Sequence, residues 1–259
     1  MNFSLLDRVS LLFSRFFADQ IQLQPIHRQL EDVNWRLGQY DGNIRALFPP
    51  RITSDMVFSS SVDVLVRDIL TNWETAEHSR LSSRLLQILR AAPVFKVVHN
   101  FLASVDEIIA NVENFIDCLS HVWFTQTAAD LLQYPRGPKT CGFQHVFIGE
   151  RKRTVKGLHS WQRLFILERQ GHLITRRIIK RSPDFHLAAL SFEWDETPKP
   201  YGTIFFGLPM DFEMMLFFVA FMMTKNQPIT FMLVGRPVTI ETYDLALIEN
   251  AMSTAFFKY

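Results

Sequence analysis

The sequence predicts an α+β fold in which a helical first half precedes a β-rich second half. Three observations carry this. From Arg28 to about Gln133 apolar residues recur mostly at helical spacing, and glycine occurs only at Gly38 and Gly42. At Tyr134-Pro-Arg-Gly-Pro-Lys-Thr140 two prolines and a glycine mark a loop and the best candidate boundary. Beyond it, β-branched and aromatic runs alternate with two helical stretches. The chain therefore divides into an N-terminal amphipathic helix within 1–27, a helical part over 28–133 and a β-rich part over 134–259.

In order along the chain, Leu5, Leu6, Val9, Leu12, Phe13, Phe16 and Phe17 fall on one helical face, with Asp7, Arg8, Arg15 and Asp19 elsewhere on the wheel. The charges interrupt any apolar core of signal-peptide type, and no small-residue cleavage site follows. The spacing predicts helices over Ser61–Trp73, Glu77–Leu89 and Val105–Phe124. Another begins at Pro93, a residue suited to a first helical turn. Strands are predicted at His172–Ile179, Leu187–Trp194, Thr203–Phe206, Ile229–Val234 and Val238–Tyr243, with Gly235-Arg236-Pro237 as a hairpin turn. Helices are predicted at Leu158–Arg169 and Asp211–Met223, with Asp211 as N-cap. The apolar run Ile204–Met223 contains Gly207, Pro209, Asp211 and Glu213. It is too interrupted for the roughly 20 residues a membrane helix needs, and reads as a strand, a turn and a buried helix.

Composition bounds the function classes. Of 259 residues, 48% are apolar and 20% charged, which excludes collagen-like, low-complexity and disordered chains. Lys plus Arg is 27 against 26 for Asp plus Glu, so a strongly cationic nucleic-acid coat is excluded but a local basic site is not. Such sites are offered by Arg151, Lys152, Arg153 and Lys156, and by Arg176, Arg177, Lys180 and Arg181. Cys118 and Cys141 form neither a disulfide framework nor a metal-binding spacing. A reducing, cytoplasmic setting is the expectation.

Of eight histidines, His27, His78, His99, His121, His172 and His186 read as structural or surface residues. His145 and His159 differ. Each follows a glycine closely, and the basic segment Arg151–Lys156 separates them, so a hairpin can turn both imidazoles toward one cavity. Two imidazoles can divide acid–base work near neutral pH, one neutral and one protonated.

Gly142-Phe-Gln-His-Val-Phe-Ile-Gly-Glu150 resembles the first signature of the EndoU (XendoU-type) endoribonuclease family, G-F-E-H-V-F-V-G-E. Gly157-Leu-His-Ser-Trp161 resembles its second, G-F-H-N-W. Pro198–Gly207, Met210–Met214, Arg236–Tyr243 and Ser253–Phe256 resemble later blocks in the same order. Ala92–Leu102 and Leu30–Asn34 resemble segments of the helical half, so the likeness runs from about Arg28 to the C-terminus.

The resemblance implies two antiparallel sheets flanking a cleft. It also implies an endonuclease of single-stranded RNA that prefers uridylates and leaves 2′,3′-cyclic phosphates. By motif position His145, His159 and Lys199 are its catalytic residues, with His159 favoured as base and His145 as acid. Their side-chain tips are expected within roughly 8 Å of a common point. DNA, lacking the 2′-hydroxyl, is excluded as a substrate. Thr254 corresponds to a residue near the base pocket and Phe256 to a stacking platform, where the family has tyrosine. Gln144 replaces the family glutamate, and Glu150 is retained. Manganese is the cofactor the resemblance implies, with ligands unknown; some members respond to calcium. Two competing readings follow. The departures at Gln144 and Phe256 suggest a weakened or inactive RNA-binding protein on this fold. The apolar first helix suggests a scaffold that docks a protein or membrane. Secretion, which the family resemblance does not exclude, stands as the alternative to a cytoplasmic location.

Overall fold

The computed structural model describes residues 7–14, 38–39, 46–73, 77–130, 134–182, 186–233, 235–245 and 248–259. The Leu30–Asn34 segment, His27 and the apolar residues Phe16 and Phe17 lie outside them.

Helix α1 covers residues 7–14 and buries Val9 and Phe13, the two positions that helical spacing puts on one face. Phe13 packs on Phe212 and Phe231, each at 5.9 Å between ring centroids. Strand β1 (Gly38–Gln39) and the short helix α2 (Ser54–Val57) follow. Helix α3 (Ser61–Asn72) starts on a reciprocal cap: Asp63 N–H donates to Ser60 Oγ at 3.0 Å, and Ser60 N–H donates to Asp63 Oδ2 at 3.0 Å. Helices α4 (His78–Ala91) and α5 (Pro93–Ala103) are joined at Ala92, with Pro93 in the first turn as predicted. Helix α6 runs only from Val112 to Phe124, not from Val105. Asn111 starts it later as its N-cap, because its side chain accepts from the Glu113 and Asn114 amides. The preceding turn is held by Asp106, which accepts from the Ile108 N–H at 2.9 Å.

Strand β2 (Thr127–Asp130) pairs antiparallel with β3 (Tyr134–Thr140). The Tyr134–Thr140 run, read from its prolines as a loop, is thus a strand. A two-stranded ribbon leaves one edge of each strand unpaired, where a proline nitrogen costs no ladder bond. A π-helical turn (Gln144–Ile148), the small hairpin β4 (Glu150–Arg151) and β5 (Val155–Lys156), and helix α7 (Trp161–Arg169) come next.

Strands β6 (Leu173–Arg181), β7 (Leu187–Trp194) and β8 (Thr197–Phe205) form an antiparallel sheet with β1, in the order β1-β6-β7-β8. Strand β8 starts six residues earlier than its predicted beginning at Thr203, and Pro198 and Pro200 are accommodated because β8 is an edge. Helix α8 (Met210–Thr224) and strands β9 (Ile229–Leu233), β10 (Arg236–Leu245) and β11 (Ile248–Lys258) complete the chain, the strands in the order β11-β10-β9. Pro209, not Asp211, occupies the N-cap of α8. The β9–β10 turn is tighter than predicted: Arg236 already pairs with Leu233, and Gly235, at φ +73°, makes the reversal.

The core spans both halves. Helix α8 is buried from Met210 to Phe221 apart from half-exposed Asp211, and it packs against α5, β10 and β11. Phe115 of α6 meets Phe218 edge-on at 5.8 Å, and Phe257 of β11 contacts both Phe217 of α8 at 5.0 Å and Phe205 of β8 at 5.2 Å. Strand β11 therefore touches the helix and the other sheet at once. Glu213 is fully buried in α8 with neither carboxylate oxygen hydrogen-bonded, and burial pushes its pKa well above the ordinary value, favouring the neutral acid. Among the described residues no helix is long and apolar enough to cross a membrane.

Truncating Phe257→Ala would empty the junction of α8 with the two sheets. Unfolding in urea is expected to show a loss of about 3–5 kcal/mol, the range for a fully buried phenylalanine. A loss below about 1 kcal/mol would mean that β11 does not hold the sheets together.

Candidate active site

The segment after β3 begins as a helix at Gly142 and widens at once into the π-turn, closed by Gly149 N–H donating to the Gln144 carbonyl at 2.8 Å. Val146, Phe147 and Ile148 are buried, so the turn leaves Gln144 and His145 at its partly exposed rim. Its start lies on β11: a Cβ on Gly142 would stand 2.6 Å from the Met252 carbonyl oxygen.

The two histidine segments are joined through their backbones. Leu158 N–H donates to the His145 carbonyl at 2.9 Å, and His159 N–H donates to the Val146 carbonyl at 2.7 Å. Gly157 makes this approach feasible. A Cβ there would lie 1.7 Å from the His145 carbonyl oxygen, and its φ of +61° favours glycine. Leu158 also holds a positive φ, of 60°, a strained state for a branched side chain. The Gly157 carbonyl accepts from Lys199 Nζ at 2.6 Å. One residue thus gathers His145, His159 and Lys199.

Lys199 reaches Gly157 because β8 bulges. Leu190 pairs with Gly202 and Phe192 with Lys199, which places an extra residue on β8 and two adjacent exposed positions, Pro200 and Tyr201. The bulge turns Lys199 inward, where it is 7% exposed. Burial, then the nearby Lys156 charge, lowers its pKa to about 8.

His159 is also 7% exposed, and its Nδ1 lies 3.0 Å from the Thr203 carbonyl oxygen. A carbonyl only accepts, so Nδ1 carries the proton and Nε2 keeps its lone pair. Burial, then the charge of Lys199, drives the pKa of His159 down to about 3, partly opposed by the Thr203 bond. His159 is therefore a neutral imidazole whose Nε2 keeps its lone pair, beside an ammonium group.

His145 has a different neighbour. Its Nδ1 lies 3.2 Å from Glu150 Oε1, which also accepts from Thr140 Oγ1 at 2.7 Å, while Lys152 Nζ stands 3.1 Å from Glu150 Oε2. Burial alone would raise the pKa of Glu150, but the hydrogen bond and charge of His145, the Thr140 bond and the Lys152 charge outweigh it and hold the carboxyl at about 2. Glu150 is thus an ionised anchor for Nδ1 of His145, which leaves Nε2 as the atom able to pass a proton to a ligand.

Phe256 stacks on His159, with 5.5 Å between centroids and 20° between planes, and Tyr243 stacks on Phe256 at 6.4 Å and 22°. Thr254 is the cross-strand partner of Tyr243 on the same face of the sheet. Of the residues singled out in the sequence, His145 contacts Glu150 and His159 contacts Phe256, Lys199 joins them through the Gly157 carbonyl, and Thr254 is two residues from Phe256 on β11. Gln144 turns the other way: its Oε1 accepts from Trp73 Nε1 at 3.4 Å, at the end of α3. The sequence offered no sign of Thr140, the Thr203 carbonyl, Trp73 or Tyr243, since each enters through pairing between distant segments.

Of the basic residues, Arg151 pairs with Asp195 at 2.6 Å and Arg176 with Glu193 at 2.5 Å, whereas Arg153 and Lys156 are exposed on the β4–β5 hairpin next to the site. Four of the remaining histidines serve structure or surface contacts. His78 stacks on Trp73, His99 reaches the Ile109 carbonyl and His121 that of Glu249, and His172 meets Asp195. A separate cavity of about 720 Å³ lies between α4 and α6 and reaches the π-turn only through Trp73 and Cys141. Among the described residues no three His, Cys, Asp or Glu side chains gather as metal ligands.

Comparison with known proteins gives a consistent set of relatives. The family model described as "Endoribonuclease XendoU" matches residues 63–257. A poly(U)-specific endoribonuclease of Xenopus tropicalis is 27% identical over 197 residues, covering 73% of this chain and 63% of the relative. Uridylate-specific endoribonuclease B of Danio rerio is 29% identical over 182 residues, covering 67% and 61%. The human uridylate-specific endoribonuclease is 28% identical over 207 residues, covering 73% and 48%. The chain thus spans less than two thirds of the length of these relatives. The solved structure of XendoU, described as a splicing-independent snoRNA processing endoribonuclease, superposes with a TM-score of 0.68 at 20% identity, covering 96% of each chain, and shares the fold.

If Glu150 is an ionised anchor, its effect on stability depends on pH with a fixed sign. A carboxyl held at about 2, below its ordinary 4.5, stabilises the fold above about pH 4.5 and loses that contribution as pH falls through about 2. Glu150→Gln is expected to cost about 2–3 kcal/mol at pH 7, with the difference from the parent narrowing between pH 5 and 2. Urea titrations at several pH values measure this, and a gap that stays constant with pH would contradict it.

Proposed function

The chain belongs to the XendoU endoribonuclease family, and we propose that it cleaves single-stranded RNA at uridylates by attack of the RNA's own 2′-hydroxyl. The observation that carries this reading is His159: buried, neutral, with Nδ1–H committed to Thr203 and Nε2 available as a base beside the Lys199 ammonium.

The chemistry follows from those three groups. Nε2 of His159 takes the proton of the 2′-hydroxyl, and the oxygen attacks the adjacent phosphorus. The pentacoordinate phosphorane gains negative charge, which the Lys199 ammonium stabilises. The bond to the 5′-oxygen breaks as His145 gives that oxygen a proton from Nε2. The products are a 2′,3′-cyclic phosphate and a free 5′-hydroxyl, with one proton moved from His145 to substrate and one from substrate to His159. DNA lacks the nucleophile and is not a substrate. Arg153 and Lys156 are placed to hold flanking phosphates. Thr254, on the same sheet face as Phe256, is the hydroxyl proposed to read the uracil edge. Phe256 supplies an aromatic surface at the base of His159. A cytoplasmic setting is proposed with this activity, since Cys118 and Cys141 are both unpaired thiols.

A 2′-deoxyuridine at the scissile position is expected to leave the strand bound and intact, while ordinary RNA yields a cyclic phosphate end. Binding shifts and end-group analysis of the products read both. Cleavage of the deoxy strand, or release of a 3′-phosphate with no cyclic intermediate, would require a different nucleophile. RNA binding with no cleavage of any substrate would favour an RNA-binding protein on this fold.

The pH profile tests Lys199. With a pKa of about 8 it is charged below that pH and neutral above it, so kcat is expected to fall as pH rises through about 8. His159, at about 3, stays neutral throughout this range. Lys199→Met is expected to lower kcat by about 100- to 1000-fold, with a smaller effect on binding, because the charge it meets develops in the transition state. Equal losses in kcat and affinity would make Lys199 a binding group only.

A further inference from the structure

We propose that the exposed face of Tyr243 is a subsite for the base of a nucleotide flanking the scissile one, a reading that rests on RNA being the substrate. The sheet β9-β10-β11 has two unlike faces. Val238, Ile240, Thr242, Ala255 and Phe257 are buried on the side of α8. Glu241, Tyr243, Thr254, Phe256 and Lys258 alternate with them and occupy the other side, where Tyr243 pairs with Thr254 and Glu241 with Phe256.

On that outer side three rings lie nearly parallel in sequence: His159, Phe256 and Tyr243, with interplanar angles of 20° and 22°. Phe256 contacts both His159 and Tyr243, and Tyr243 is 42% exposed. A single exposed tyrosine needs no explanation. This one ends a chain of ring contacts that begins at the proposed base, and it is held there. Its hydroxyl donates to Glu241 Oε2 at 3.1 Å, and Glu241 Oε1 is fixed in turn by Lys258 Nζ at 2.5 Å. An immobilised aromatic face at the end of a row of rings, on an open sheet surface, is how proteins hold unpaired bases with little sequence preference. The scissile nucleotide lies at His159 and Thr254, so Tyr243, opposite Thr254, stands where its neighbour's base would lie.

The test uses the full-length protein and RNA with 2′-deoxyuridine at the scissile position. A dinucleotide is compared with trinucleotides extended by one adenosine at the 5′ or the 3′ end. One extension is expected to tighten binding by about 5- to 100-fold, the range for stacking of one base on an aromatic side chain. Tyr243→Ala should remove that gain and Tyr243→Phe, which keeps the ring, should retain it. A gain that survives Tyr243→Ala, no gain from either extension, or equal weakening of short and extended strands would overturn the subsite. If the parent protein neither binds these strands nor cleaves their all-ribose counterparts, the functional reading fails and the subsite with it. If it binds them and cleaves the all-ribose strands with no contribution from Tyr243, only the subsite fails.

Discussion

Everything in the site depends on how closely the backbone at Gly157 lies against the backbone at His145. The two hydrogen bonds from Leu158 and His159 to the carbonyls of His145 and Val146 act as a short splice between the π-turn and the segment before α7. A side chain at 157 would meet a carbonyl oxygen at less than bonding clearance, so the splice exists only with glycine. The same residue turns its own carbonyl to Lys199. Two imidazoles and one ammonium are thereby located by backbone atoms, which have far fewer ways to relax than side chains.

Electrostatics separates the two histidines. His159 is sunk beneath the surface and faces a neutral carbonyl and a positive charge, and both burial and that charge oppose its protonation. His145 sits at the rim and faces an ionised carboxylate that Thr140 and Lys152 keep ionised. Identical side chains so meet opposite surroundings, which is what the proposed division of acid and base work requires. Burying Lys199 lowers its pKa but leaves it largely protonated at neutral pH, where an ammonium in a water-poor site acts most strongly on a developing oxyanion.

The helical half contributes by packing rather than chemistry. Helix α8, apolar on all sides, fills the space between α5 and the sheet β9-β10-β11, and Phe115, Phe217 and Phe257 join the layers. Trp73, at the end of α3, touches Gln144 and packs on Phe143 at 4.6 Å, so the π-turn that carries His145 rests on the first half of the chain. The amide oxygen of Gln144 accepts the indole hydrogen bond and adds no second carboxylate near His145.

Much of the local structure was legible in the sequence because it depends on period and punctuation. The buried face of α3, the proline start of α5, the Leu187–Trp194 strand and the strand–turn–helix reading of the Ile204–Met223 run all follow from apolar spacing and a few turn residues. The two histidines and Lys199 were legible as motifs. What the sequence did not disclose was non-local. Tyr134–Thr140 forms a strand because β2 lies beside it, and Lys199 turns inward because β8 gains a residue against β7. Strand β11, with asparagine, alanine and serine among its residues and a bulged register, lacks a clean alternation, yet it brings Phe256 to His159 and Tyr243 to Phe256. Spacing along a chain reports which face a residue occupies within its own element. Which faces then meet, and which nitrogen of an imidazole is left with its lone pair, is decided by hydrogen bonds between elements tens of residues apart, and only the tertiary structure contains those.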